Sequence, residues 1–156
     1  MIAFRKTVRF ALAAAMLALA PSSPVRAAGD WNDANIQWRS YADGLAEAKK
    51  ENKPVCLIFY TDWCPHCTKY SGVFHDPKVV AESKNFVMVR VNGDQDKELS
   101  QKFVIDGAYI PRTFFLSPSG KLEEGINAGR DSYKYFFDTG NPAGVLAGME
   151  QAKKLK

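Results

Sequence analysis

Residues 55–60, VCLIFY, form an unbroken apolar run of strand-forming side chains. So short a run suits a strand covered on both faces better than one with a solvated side. Ahead of it, SYADGLAEAKKEN (40–52) changes period. Tyr41, Leu45 and Ala48 fall on one helical face, Ser40 and Asp43 stand at capping-box spacing, and Pro54 ends the segment. Behind the run, Pro65 occupies the first position of a helix whose inner face is Cys67, Tyr70, Ser71 and Phe74. Asp76-Pro77 breaks that helix and starts a short second one. FVMVRVN (86–92) reads as a strand, DKELSQKF (96–103) as a helix and TFFLS (113–117) as a strand. Another strand, near 121–126, follows the turn PSG. Asn141-Pro142 caps a last helix with Val145, Leu146, Met149 and Ala152 inward. Residues 28–38 read as an irregular lead-in whose tryptophans pack on the domain.

The resulting order is helix, strand, helix, strand, helix, strand, strand, helix. Strands alternating with helices predict an α/β fold, a central sheet flanked by helices, with the final strand pair making the sheet mixed. Functional residues in such sheets gather at the carboxyl ends of central strands. WCPHC (63–67) follows one directly. No repeat, low-complexity stretch or internal linker interrupts the pattern.

Composition and charge change the picture at the amino end. Arg5, Lys6 and Arg9 precede the apolar run FALAAAMLALA, and VRA at 25–27 fits a small-residue cleavage site. Residues 1–27 therefore read as a cleaved secretory signal peptide, leaving 28–156 as a single domain without a stable membrane anchor. The chain carries 21 Lys and Arg against 17 Asp and Glu. Arg5, Lys6, Arg9 and Arg26 leave with the signal and no acid does, so the remainder is formally neutral. That excludes the basic footprint of a nucleic-acid binder. The compact leader predicts a bacterial periplasmic protein.

Three cysteines are too few for a disulfide-built scaffold. Cys64 and Cys67 nevertheless sit at C-x-x-C spacing on the first turn of a helix. Free N–H groups and the helix dipole stabilise a thiolate there, and the second thiol is close enough to resolve a mixed disulfide. Zinc wants about four ligands, and beyond this pair the chain offers His66 and His75. Haem attachment wants a histidine where Thr68 stands. No metal is expected. A redox couple is the favoured reading, with an inert structural bridge as the alternative.

FYTDWCPHC after a buried strand, with YIPRTFF some 45 residues later, resembles the thioredoxin superfamily. IQWRSYADGLAEAKKENKP, NFVMVRVN, YIPRTFFLSPSGK and SYKYFF are similar to its small anterior-gradient type. The resemblance implies a thioredoxin-like fold for 28–156 and a thiol–disulfide oxidoreductase needing no cofactor beyond a redox-active Cys64–Cys67 disulfide. It implies Cys64 as the exposed nucleophile, Cys67 as the buried resolving thiol, and Trp63 as a shield over the site. It further implies Pro111 as a cis proline against the site and Ile110 as the residue whose backbone pairs with an extended client. Many thioredoxins bury an acid six residues before the first cysteine. Here that place is Ile58.

Direction turns on Pro65 and His66. An imidazole beside Cys64 stabilises its thiolate, which exists only in the reduced form, so the disulfide becomes a stronger oxidant. C-P-H-C also resembles the motif of the periplasmic disulfide-oxidase family, although that family's inserted helical domain has no room here. The partners expected are proteins with thiols or disulfides, and a membrane or soluble redox protein for recycling. One alternative is a donor-fed periplasmic reductase, and another a client-binding folding-quality module with little turnover. Elsewhere, Cys56 reads as a small buried hydrophobe and His75 as a solvated helix-end residue. Asp62 is a surface acid or a tuner of Cys64, and Arg112 either meets an acidic client or is solvated. SYKYFF (132–137) is a client surface or core.

Overall fold

A computed structural model describes residues 29–155; the leader reading of 1–27 lies outside them. Four strands, β1 (Trp38–Arg39), β2 (Val55–Tyr60), β3 (Val87–Asn92) and β4 (Arg112–Leu116), form one sheet in the order β1-β3-β2-β4. β1 and β2 run parallel to β3, and β4 is antiparallel to β2. Helices α1 (Tyr41–Glu51), α2 (Pro65–Ser71), α3 (Pro77–Ser83), α4 (Lys97–Lys102) and α5 (Ala143–Ala152) cover it.

The apolar run predicted as a doubly covered strand is the inner strand β2, and its alternate residues enter two different cores. Cys56 and Ile58 join Tyr70, Phe74, Val79, Met88, Phe115 and Met149 on one face. Val55, Leu57 and Phe59 join Ala48, Val89, Phe103 and Phe114 on the other. These five β2 side chains are fully enclosed, each of the larger ones contributing about 1.5–3 kcal/mol. Helices approach both faces closely. A Cβ on Gly44 of α1 would collide with Val89, and one on Gly148 of α5 with Phe115.

Local side chains bond the helix ends. Ser40 Oγ accepts the Asp43 amide at 3.2 Å and donates to Asp43 Oδ2 at 2.7 Å. Asn52 closes α1 in the left-handed conformation at φ 51°, and the Asn141 side chain accepts the Ala143 amide at 2.9 Å. At the Asp76-Pro77 break, a 3₁₀ turn over Gly72–His75 ends and α3 begins, with Asp76 Oδ1 accepting the Lys78 amide at 2.8 Å. The lead-in packs as expected. Trp31 is buried, its carbonyl accepts Trp38 Nε1–H at 2.9 Å, and the Arg90 guanidinium lies 5.3–5.6 Å from the rings of Trp31, Trp38 and Tyr60.

Two expectations need correction. The strand near 121–126 is a single bridge between Leu116 and Leu122. Pairing starts after the turn, with Lys121 O accepting from Ser117 and Phe115 O from Glu123, but the Ile126 amide then turns back to Glu123 O and the chain leaves the sheet. The sheet is mixed because β4 itself runs against β2, and the short β1 was not anticipated. Arg112 is neither solvated nor available to a client. It is 2% exposed, donates to Phe103 O at 3.0 Å and Ser100 Oγ at 2.7 Å, and lies over the Phe59 ring.

Candidate active site

β2 ends at Tyr60 and α2 begins at Pro65, so Thr61–Cys64 must turn the chain at the carboxyl edge of the sheet. Cys64 is the N-cap of α2: its backbone is extended (φ −81°, ψ 113°) and its sulfur accepts the Cys67 amide at 3.2 Å. Pro65 at the next position has no N–H to leave unpaired. The Cys64 thiol also points at Ile110 O, 3.9 Å away. Both cysteines are free thiols in this structure. Cys64 is more enclosed than the resemblance implies, 3% exposed against 1% for Cys67. The helix amide and the Ile110 carbonyl draw its sulfur inward.

Burial pushes the Cys67 thiol far above its ordinary range, and the neighbouring Cys64 sulfur pushes it further. The Thr61 main chain works the other way. Ile58, fully enclosed, shares the core cluster of both cysteines, so β2 offers no carboxylate on that face. The buried polar pair nearby is Tyr70 and Thr113, hydroxyl to hydroxyl at 2.8 Å, with Thr113 paired to Ile58 across the sheet.

Five other predicted residues accompany the cysteines. The Ile110–Pro111 peptide is cis, with Pro111 buried. Trp63 is 58% exposed, and its indole N–H is held by Asp94 Oδ2 at 2.7 Å. His66 is exposed, its ring edge-on to Phe136 at 5.8 Å. Asp62 is exposed and accepts from Asn92 Nδ2 at 3.0 Å.

Others fall away from the chemistry. His75 is exposed and bonds the Asp30 carbonyl at 3.0 Å. Cys56 is fully buried, and desolvation raises its pKa to about 12. Residues 132–137 divide: Tyr135 and Phe137 enter the two cores, while Tyr133 is exposed and Phe136 half-buried. Among the described residues, no three His, Cys, Asp or Glu side chains converge as a metal site would require.

Sequence reasoning missed two features. One is the aromatic group beside His66, where Tyr109 stands edge-on to Tyr133 at 5.0 Å and Arg130 covers Phe136 at 5.4 Å. Its tyrosines and phenylalanines are visible in the sequence, but their meeting is set by irregular chain. The other is Thr61, whose hydroxyl is buried with no hydrogen-bond partner among the described residues.

A family model described as thioredoxin-like matches residues 36–118. The anterior gradient protein 2 homolog of Homo sapiens is 31% identical over 137 residues, covering 86% of this chain and 76% of that protein. The chain belongs to the thioredoxin-like family, with its relatives among the anterior-gradient proteins. A thioredoxin from Thermus thermophilus superposes with a TM-score of 0.59 at 25% identity, covering 75% of this chain and 86% of its own. A DsbH oxidoreductase shares the fold over 89% of this chain and 94% of its own, with a TM-score of 0.57 at 24% identity.

Proposed function

We propose that this thioredoxin-like thiol–disulfide oxidoreductase works in the periplasm, after removal of residues 1–27, and oxidises cysteine pairs in client proteins. The observation that carries the exchange chemistry is the contact between the Cys67 amide and Cys64 Sγ at 3.2 Å. It places the first sulfur where helix N–H groups stabilise its thiolate, with the second thiol one helical turn away. In oxidation, a client thiolate attacks Cys64 of the Cys64–Cys67 disulfide and Cys67 leaves. A second client thiol then displaces Cys64, the client gains a disulfide and the enzyme is left as the dithiol. A partner oxidant must then remove two electrons and two protons to restore the disulfide.

Two features favour the oxidising direction. His66, two residues after Cys64 in the chain, carries a polarisable imidazole, and Ile58 supplies no base to help Cys67 attack a client disulfide. Ile110 and Pro111 flank Cys64 on the side where an extended client would lie. Alkylation of acid-quenched cells followed by a gel shift tests the direction. A mostly oxidised Cys64–Cys67 pair supports the proposal, and a mostly reduced pair points to a donor-fed reductase. Cys67→Ala should trap clients through Cys64, and a failure to trap any exported protein would count against client catalysis.

A further inference from the structure

The stretch of chain that presents Ile110 to Cys64 is not held by the sheet. Residues 104–111 run from α4 to β4 without regular structure. Among the described residues, no main-chain hydrogen bond joins 106–111 to another main-chain group, and β4 pairing begins only at Arg112, opposite Phe59. Pro111 is buried and anchors one end of the stretch. Side chains fix the other end. Asp106 Oδ1 accepts from the Tyr109 hydroxyl at 2.6 Å, and Asp106 Oδ2 accepts the Lys134 amide at 2.5 Å. The Tyr109 oxygen in turn accepts the Tyr135 amide at 3.0 Å.

These bonds close a ring between two irregular segments, one before β4 in the chain and one after it. Tyr135 O accepts the Thr113 amide at 2.9 Å, so the later segment is tied to β4, and Asp106 passes that support to the earlier one. Gly107 lets the chain double back: its φ is 144°, and a Cβ there would stand 3.1 Å from the Tyr109 ring. Burial and the Asp106 carboxylate both push the Tyr109 pKa up, so its hydroxyl stays a donor. Hydrogen bonds to a charged acceptor are roughly twice as strong as neutral ones, which makes this carboxylate a firm attachment. One residue beyond Tyr109, the Ile110 carbonyl lies 3.9 Å from Cys64 Sγ. A shift of Tyr109 therefore moves the main chain beside the reacting sulfur.

We propose that Asp106 is a positioning residue for disulfide exchange with polypeptides: its bonds to Tyr109 and Lys134 hold the Ile110 main chain where an extended client pairs with it. This rests on the reading of Cys64 as the attacking sulfur and of Ile110 as the client's main-chain partner. Such pairing is a form of strand addition, in which main-chain hydrogen bonds supply the affinity. Asp106 acts through Tyr109 and Ile110, so it governs how a peptide is bound and leaves the exchange itself alone. A small disulfide, which makes no main-chain pairs, is blind to it.

Two mixed disulfides of thionitrobenzoate separate binding from chemistry, one made with the cysteine of an unstructured peptide and one with mercaptoethanol. The Cys64 thiolate of the reduced protein attacks the peptide or mercaptoethanol sulfur, and thionitrobenzoate leaves as a coloured thiolate in both. Stopped-flow rates against peptide concentration give a half-saturation concentration and a maximal rate. In Asp106→Ala the half-saturation concentration should rise about tenfold, the scale of a main-chain hydrogen bond. The maximal rate and the mercaptoethanol rate should not change. Asp106→Asn keeps one acceptor oxygen and should fall between, and Tyr109→Phe, which removes only the hydroxyl, should move the same quantity upward. An unchanged half-saturation concentration in Asp106→Ala would overturn the proposal, as would equal losses with both substrates. Absence of thionitrobenzoate release by the wild type from either substrate would instead remove Cys64 as the nucleophile, and the positioning role with it.

Discussion

The Cys67 backbone amide donates to Cys64 Sγ at 3.2 Å, so the sulfur proposed to react is also the N-cap of α2. Chemistry and helix stability therefore meet in one atom. A serine hydroxyl is a good cap and alanine has none, the difference being about 1 kcal/mol. Cys64→Ser should abolish exchange with little loss of stability. Cys64→Ala should abolish exchange and cost about 1 kcal/mol in urea denaturation of the reduced protein. Equal stability of the two variants would show that the sulfur does not cap the helix.

Arg112 ties β4 to the end of α4. Its guanidinium fills the space beside Phe59 and bonds the Phe103 and Ser100 carbonyls. Arg112→Met strands those acceptors and should lower stability by about 3 kcal/mol. Arg112→Lys should recover little of this, because an ammonium cannot reproduce the planar fork. Full recovery by lysine, measured from urea midpoints, would mean that charge alone matters at this position.

The Tyr70 and Thr113 hydroxyls satisfy one another in the core at 2.8 Å. Burial pushes the Tyr70 pKa far above its ordinary value, so it acts as a neutral donor or acceptor. Tyr70→Phe or Thr113→Val alone leaves one buried hydroxyl orphaned and should cost about 1–3 kcal/mol. The double variant should cost less than the sum, with a coupling of about 1 kcal/mol. Strict additivity in the double-mutant cycle would contradict the pairing.

Cys56 offers a pH test of its burial. Desolvation raises its pKa from an ordinary 9.0 to about 12. Above pH 9 the unfolded chain loses this proton while the folded chain keeps it, so stability falls as pH rises, until the folded thiol itself ionises near pH 12. Inside that window the wild type should lose about 1.4 kcal/mol per pH unit more than Cys56→Ala. Other buried thiols and phenols are common to both proteins and cancel. Parallel stability curves would place Cys56 in a wetter site.

Much of this fold was legible because its signals are local. VCLIFY needed only its run of apolar residues to be read as a doubly covered strand. Ser40, Pro65, Asp76 and Asn141 mark helix starts through their own side chains. The site was legible for the same reason, since the cysteines are neighbours on one helical turn. What escaped depends on residues far apart in sequence. The stretch 121–126 follows the turn PSG as the second arm of a hairpin would, yet the turn at Glu123–Ile126 takes it off the sheet. Arg112 reads as a surface charge until α4 folds over it. Thr61 gives no signal at all until its hydroxyl is found buried without a partner.

The central claim is that Cys64 and Cys67 form a two-electron redox couple from which Cys56 is excluded. Equilibrating the protein in glutathione buffers of graded redox ratio, then quenching and mapping the cysteines by mass spectrometry, tests it most directly. The account predicts one reversible transition, a Cys64–Cys67 disulfide at its oxidised end, and Cys56 as a thiol throughout. A pair that stays reduced at every ratio, or a bridge that includes Cys56, would contradict it.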